Sequence, residues 1–217
     1  MKNTIPGRLA AAMLALALSP MLWAADSPQT VQELQRAWAQ IKYRTPAKEQ
    51  ADRFQELAQQ ARAATREYSD SAPVWVWSGI IRASYAGAKG GLGALSAVKE
   101  AKADLEHAIA IDGSVLDGAA YTSLGSLYYQ VPGWPIGFGD DKKAETYLQK
   151  GLSFGEDDID ANYFYADYLF QNRDYARALQ YIKRAEMAPR DAGRPLASEG
   201  RLGEIKDLKA RIEGKLH

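Results

Sequence analysis

The stretch "AYTSLGSLYYQVPGWPIGFGDDKKAETYLQKGL", residues 120–152, decides how the chain is read. Its first part places Tyr121, Leu124 and Tyr128 at helical spacing with Gly125 beside them, and its last part places Ala144, Leu148 and Gly151 at the same spacing. Apolar residues three and four apart form one stripe of a helix, so the stretch predicts helix, connection, helix. Small residues within each stripe mark where two helices approach closely, and bulky ones fill the space beside them. The connection between them holds Pro132, Gly133, Trp134, Pro135, Ile136, Gly137, Phe138 and Gly139. It is stiff, flexible and apolar at once.

Outward from this unit the same pattern returns. "NYFYADYLFQNRDYARALQYIKRAEMAP", residues 162–189, places Tyr165, Ala166 and Leu169 in one helix and Tyr175, Ala178, Ile182 and Ala185 in the next, with Pro189 closing the unit. A weaker unit precedes both, with Trp77, Ile80 and Ile81 and then Ala101, Leu105 and Ala108. Val31 to Tyr43 and Ala47 to Tyr68 form an N-terminal helix pair within residues 25–70, separated by Pro46, and Ser71 is placed to cap the next helix ahead of Pro73. A last helix, 195–216, carries Leu202, Ile205, Leu208 and Ile212 and reads as a C-terminal cap. No segment alternates as a strand. The fold expected is all-α, with repeat units near 75–113, 117–155 and 158–189.

Tyr121 to Tyr128 fits the tetratricopeptide (TPR) signature W-x2-L-G-x2-Y with tyrosine in place of tryptophan. From about Trp75 to Ile212 the chain resembles bacterial exported TPR proteins, including the T component associated with TRAP-type periplasmic transporters. That resemblance implies a helix-hairpin solenoid whose repeats frame a ligand pore or a protein-binding groove. The chain departs from the usual T component in having no lipid-attachment cysteine; it has no cysteine at all.

The first residues have the three parts of a secretory signal: Lys2 and Arg8, an apolar run from Leu9 to Leu18, and "MLWAAD" with small residues for cleavage. Cleavage after Ala24 is expected, giving a signal peptide over 1–24, a periplasmic protein of ~190 residues and no membrane insertion of the mature chain. Basic and acidic residues number 27 each, and no basic block is present, so nucleic acid is not an expected partner. Without cysteine there is no disulfide, thiolate metal site or catalytic thiol.

Chemistry has little to rest on. His107 is the one internal histidine, no metal-protease, hydrolase or β-lactamase motif is present, and "EDDIDAN", residues 156–162, lacks the glycine and the terminal acid of a calcium loop. Neither an enzyme, nor a cofactor, nor a metal site is expected. The candidate binding residues are those the helix stripes leave over: Trp134, Pro135 and Phe138 in the long connection, and Tyr129 and Phe164 off the main packing positions. A second lengthened turn, "YAGAKGGLGALS" at 85–96, would lie on the same edge. The leading expectation is a non-catalytic scaffold holding a protein or peptide partner in a concave groove. The alternative is a carrier of a small apolar ligand, or an accessory component of a TRAP-type transporter.

Overall fold

A computed structural model describes residues 27–216. The proposed signal peptide lies outside the described residues. Among those described the protein is all-helical: α1 (Ser27–Arg44), α2 (Ala47–Glu67), α3 (Ala72–Lys89), α4 (Leu95–Asp112), α5 (Val115–Gln130), α6 (Asp141–Leu152), α7 (Ile159–Gln171), α8 (Tyr175–Met187) and α9 (Pro195–Leu216). None of them is long and apolar enough to cross a membrane.

Short turns reverse the chain at each step, so the odd-numbered helices run parallel in one row and the even-numbered ones back them. Close approach within a hairpin depends on small residues. A Cβ on Gly79 of α3 would lie 2.6 Å from Leu105 Cγ of α4, and one on Gly125 of α5 would lie 2.7 Å from Leu148 Cγ of α6. Ala101, Ala108, Ala144, Ala178 and Ala185 are fully buried at the equivalent seams. Large side chains fill the space beside these small residues: Leu105, Leu124, Leu148, Tyr165, Ile182 and Ile205 are all at most 1% exposed. Each such burial is worth about 1.5–3 kcal/mol against the ordering entropy of the helices.

The inner row closes on itself. α1 packs on α3, α3 on α5, α5 on α7, α7 on α9, and α9 returns to α1. A Cβ on Gly200 of α9 would run into the Tyr43 ring of α1, so glycine is what lets the two end helices meet. Lys42 pairs with Glu204 at 3.3 Å, the Tyr43 hydroxyl donates to Glu204 at 3.4 Å, and Leu196 and Ala197 pack on the N-terminal core. The result is a ring of five parallel helices with four helices outside it.

Local details correct the sequence reading in several places. Ser71 stands at the start of α3, but its hydroxyl bonds Ser27 Oγ at 2.6 Å instead of capping the helix. Asp140 caps α6, accepting from the backbone N–H groups of Lys142 and Lys143. In α9 the buried stripe is Arg201, Ile205, Leu208 and Ile212, with Leu202 only partly buried.

Candidate functional site

The closed inner row surrounds a cavity of about 1000 Å³. α1, α3, α5, α7 and α9 all contribute to its wall, as do both lengthened turns. One end of the cavity is built from the C-terminal parts of α3 and α5 and the α3–α4 and α5–α6 turns. The other end is built from the N-terminal parts of α7 and α9 and the C-terminal part of α1, which meet at Lys42, Tyr43, Gly200 and Glu204.

The turn end is apolar. Leu95, Leu127, Val131 and Ile136 line it. The two turns reach this edge differently. The first is short: Gly90 and Gly91 hold φ of 63° and 64°, a left-handed backbone that favours glycine, and a 3-10 turn at Leu92–Ala94 leads directly into α4. The second, 131–140, is held by its own backbone: Gly139 N–H donates to Pro132 O at 3.0 Å, Gly137 N–H to Gly133 O at 3.1 Å and Asp140 N–H to Tyr128 O at 2.9 Å. Its glycines serve close approach rather than positive φ. A Cβ on Gly137 or Gly139 would meet backbone oxygens of Pro132 and Val131, and neither glycine has a left-handed φ.

The opposite end is ionic. Arg201 is buried, donates to Asp160 at 2.6 Å and to Glu204, and lies over the rings of Tyr163 (4.4 Å) and Phe164 (4.9 Å). Although burial opposes its charge, Asp160 and Glu204 hold the guanidinium firmly protonated. Burial pushes the Tyr163 hydroxyl up to about 12 and the Tyr43 hydroxyl higher still, so both phenols stay neutral donors. Asp158 caps α7 by accepting from Ala161 N–H at 2.7 Å. Burial, with Asp160 and then Asp117 nearby, raises its carboxyl to about 6. Asp117 itself sits in a left-handed turn with Leu116 and Gly118 (φ 54°, 51° and 72°), so regular helix in α5 begins only after Gly118. Deeper in, Asp167 accepts from Tyr129 Oη at 2.9 Å and from Gln171 at 2.9 Å. Trp38 meets Trp77 edge-on at 5.8 Å, and its own N–H donates to Ser84 at 2.8 Å. Trp77 Nε1, in the same wall, has no hydrogen-bond partner among the described residues.

Of the residues the sequence singled out, Phe164 lines the cavity. Tyr129 reaches it only through Asp167; burial, with Asp167 beside it, keeps its hydroxyl well above the ordinary range and protonated. Phe138 turns onto the core instead, edge-on to Tyr128 at 5.4 Å and under Lys102 at 5.9 Å. Trp134 is 89% exposed and Pro135 is exposed beside it; they stand outside the cavity, while Pro132 and Ile136 of the same loop line it. His107 meets Trp75 edge-on at 4.3 Å, away from this site. The residues that sequence reasoning missed are Trp38, Tyr43, Arg201 and Glu204 at the α1–α9 seam. One signal was available for Arg201: a charged residue four before Ile205 falls in the apolar stripe of α9.

Among the described residues no group of three or more histidine, cysteine, aspartate or glutamate side chains is arranged to hold a metal ion. No model of a known protein family matches the chain, and no curated protein matches its sequence.

Proposed function

We propose that this protein is an exported, TPR-like helix-hairpin protein of the periplasm that binds a small ligand inside its closed inner row and performs no chemistry on it. The observation that carries this reading is the return of α9 onto α1 around a cavity of about 1000 Å³. Ligand pockets are commonly ~300–1000 Å³, so the space suits a small molecule. A groove for a peptide or a folded partner needs an open side, and the α1–α9 contact occupies that side. The lining fits a carrier rather than a catalyst: apolar and aromatic walls, with Asp160, Asp191 and Glu204 committed to ion pairs, Asp158 to a helix cap and Asp167 to hydrogen bonds from Tyr129 and Gln171. The resemblance to T components of TRAP-type transporters fits an accessory role beside a transporter.

Native mass spectrometry of the protein purified gently from periplasm tests the reading. A non-protein mass retained by the protein and lost in Arg201→Met, whose seam is broken, is the expected result. A clean mass of the chain alone, with no uptake of added apolar probes, would sink it.

A protein or peptide partner is the second reading, and a specific observation favours it. Leu92, Trp134 and Ile136 are 77%, 89% and 54% exposed on the edge shared by the two turns. Leaving such side chains in water costs roughly 1.5–3 kcal/mol each. On this reading a partner docks on the rim without entering the cavity. Pull-down from periplasm with native protein and with Trp134→Ser tests it: a partner that survives the substitution would argue against the rim.

A further inference from the structure

We propose that the edge formed by the α3–α4 and α5–α6 turns docks on the surface of a lipid bilayer, with Trp134, Leu92 and Ile136 entering its interface and the mouth of the cavity facing it. The docking concerns the outside of the ring, so it stands or falls apart from the small-ligand reading.

Exposed apolar surface is concentrated on this edge. Of the four most exposed large apolar side chains among the described residues, Trp134, Leu92 and Ile136 (89%, 77% and 54%) stand here, and the fourth, Met187 (76%), ends α8. The stretches that carry the three, residues 90–98 and 131–139, contain no charged residue; charge resumes at Lys89, Lys99 and Asp140. A patch of this kind marks contact with a protein or with a membrane.

The backbone favours the membrane. A bilayer offers no hydrogen bonds below its headgroups, so a loop that enters it must satisfy its own N–H groups. In the long turn, Val131 N–H donates to Leu127 O at 3.0 Å, the N–H groups of Ile136 and Gly137 both donate to Gly133 O at 3.1 Å, and Gly139 N–H donates to Pro132 O at 3.0 Å. Pro132 and Pro135 have no N–H to satisfy. In the short turn, Gly90 N–H donates to Ala86 O at 2.9 Å and Ala94 N–H to Gly91 O at 3.2 Å. Backbone so engaged has little left to offer a docking peptide, and costs little to take out of water.

Residue type and position agree. A tryptophan with leucine and isoleucine beside it suits the headgroup level, where one end of the indole is apolar and the other wet. Leu92 and Ile136 both line the cavity and are exposed, so they form the lips of its mouth. A protein seated on them would stop the mouth, whereas a bilayer covers it with a phase that an apolar ligand can cross; that advantage alone rests on the small-ligand reading. Among the described residues no helix is long and apolar enough to cross a membrane, so the contact is peripheral.

Flotation with vesicles of phosphatidylcholine, and with vesicles of phosphatidylethanolamine and phosphatidylglycerol, tests the proposal on native protein, Trp134→Ser and Met187→Ser. Native protein should float with both kinds, and about as well in ~0.5 M salt as in ~0.05 M, because the two turns carry no charge. Trp134→Ser should lower partitioning at least about tenfold, the worth of one large apolar side chain. Met187→Ser, which removes a comparably exposed side chain at the end of α8, should float like native protein, and matching thermal unfolding of all three shows that they fold. Absence of flotation, flotation that survives Trp134→Ser, or flotation confined to phosphatidylglycerol vesicles at low salt overturns the proposal. Native protein that does not float, yet captures a periplasmic protein that Trp134→Ser does not, overturns it in favour of a protein interface. None of these outcomes decides the small-ligand reading, since the bound mass is read in solution without vesicles.

Discussion

The two ends of the cavity are held together by different forces. At the turn end the wall presents Leu127, Val131 and Ile136, and the 131–140 loop keeps its shape through its own backbone hydrogen bonds. At the other end, Arg201, Asp160, Glu204, Lys42 and Tyr43 join α7 and α9 to α1 through charge and hydrogen bonds. Apolar contact is tolerant of small displacements, whereas a buried guanidinium between two carboxylates is not. The difference locates the fold's vulnerability. The ring can lose side chains at its turn edge and remain closed, but it opens where its first and last inner helices meet.

Arg201→Met should therefore have the largest effect. Removing one partner of a buried ion pair leaves uncompensated charge and typically costs about 3–5 kcal/mol. Denaturant unfolding should show a loss of that size, and proteolysis should cut first near the α1–α9 seam. A loss below about 1 kcal/mol would erase the contrast between the ends, since surface pairs are worth no more than that.

Asp158→Asn comes next and carries a pH signature. The Asp158 carboxyl is raised in the folded protein, from 3.8 to about 6, chiefly by burial and then by Asp160 and Asp117, with Arg194 opposing. A carboxylate raised on folding adds stability below its unfolded value and loses it as pH climbs through the folded value. The native protein should thus weaken between pH 4 and 6 by up to about 3 kcal/mol from this group, while the asparagine variant, which keeps the cap, does not. Thermal unfolding of both proteins at pH 4 and at pH 7 measures it: the variant's advantage should grow with pH. A constant difference would show that Asp158 is an ordinary solvated cap.

Leu116→Gly probes the left-handed turn at the ionic end. Leu116 is 38% exposed with φ of 51°, a backbone that costs a branched residue about 1 kcal/mol or more. Glycine removes that cost, and the gain after its own chain entropy should be about 0.5 kcal/mol. The smallest effect belongs to the turn end. Trp134→Ser should change stability by less than about 0.5 kcal/mol, as expected for a side chain that touches little. A large loss would mean that Trp134 packs in solution and that the turn edge has a core of its own.

The sequence showed the hairpins because their cause is local. Gly125 lies at helical spacing between Tyr121 and Tyr128, and Ala144 and Ala178 lie four before Leu148 and Ile182, so the small and large positions of each stripe are visible together. Closure of the inner row was not legible. It depends on Tyr43 meeting Gly200 and Glu204, about 160 positions away, and no periodic signal spans that separation. Phe164 stands off the stripe and lines the cavity. Trp134 and Phe138 carried the same signal, a large apolar residue in a loop, yet one is exposed and the other packed. Composition of a loop does not say which way its side chains face. Asp158 caps α7, and its place beside Asp117 follows from the left-handed turn at 116–118, which nothing in Leu116 or Asp117 announces.

The most direct test of the closed, ligand-holding ring is titration with N-phenyl-1-naphthylamine, a neutral fluorescent probe, against the native protein, Ala83→Trp and Trp134→Ser. Ala83 lies in the α3 wall of the cavity and Trp134 outside it. One equivalent of probe should bind the native protein and Trp134→Ser alike, and Ala83→Trp should weaken binding by at least about tenfold. Binding that persists in Ala83→Trp and disappears in Trp134→Ser would contradict the account, placing the site on the rim and making the space inside the ring incidental.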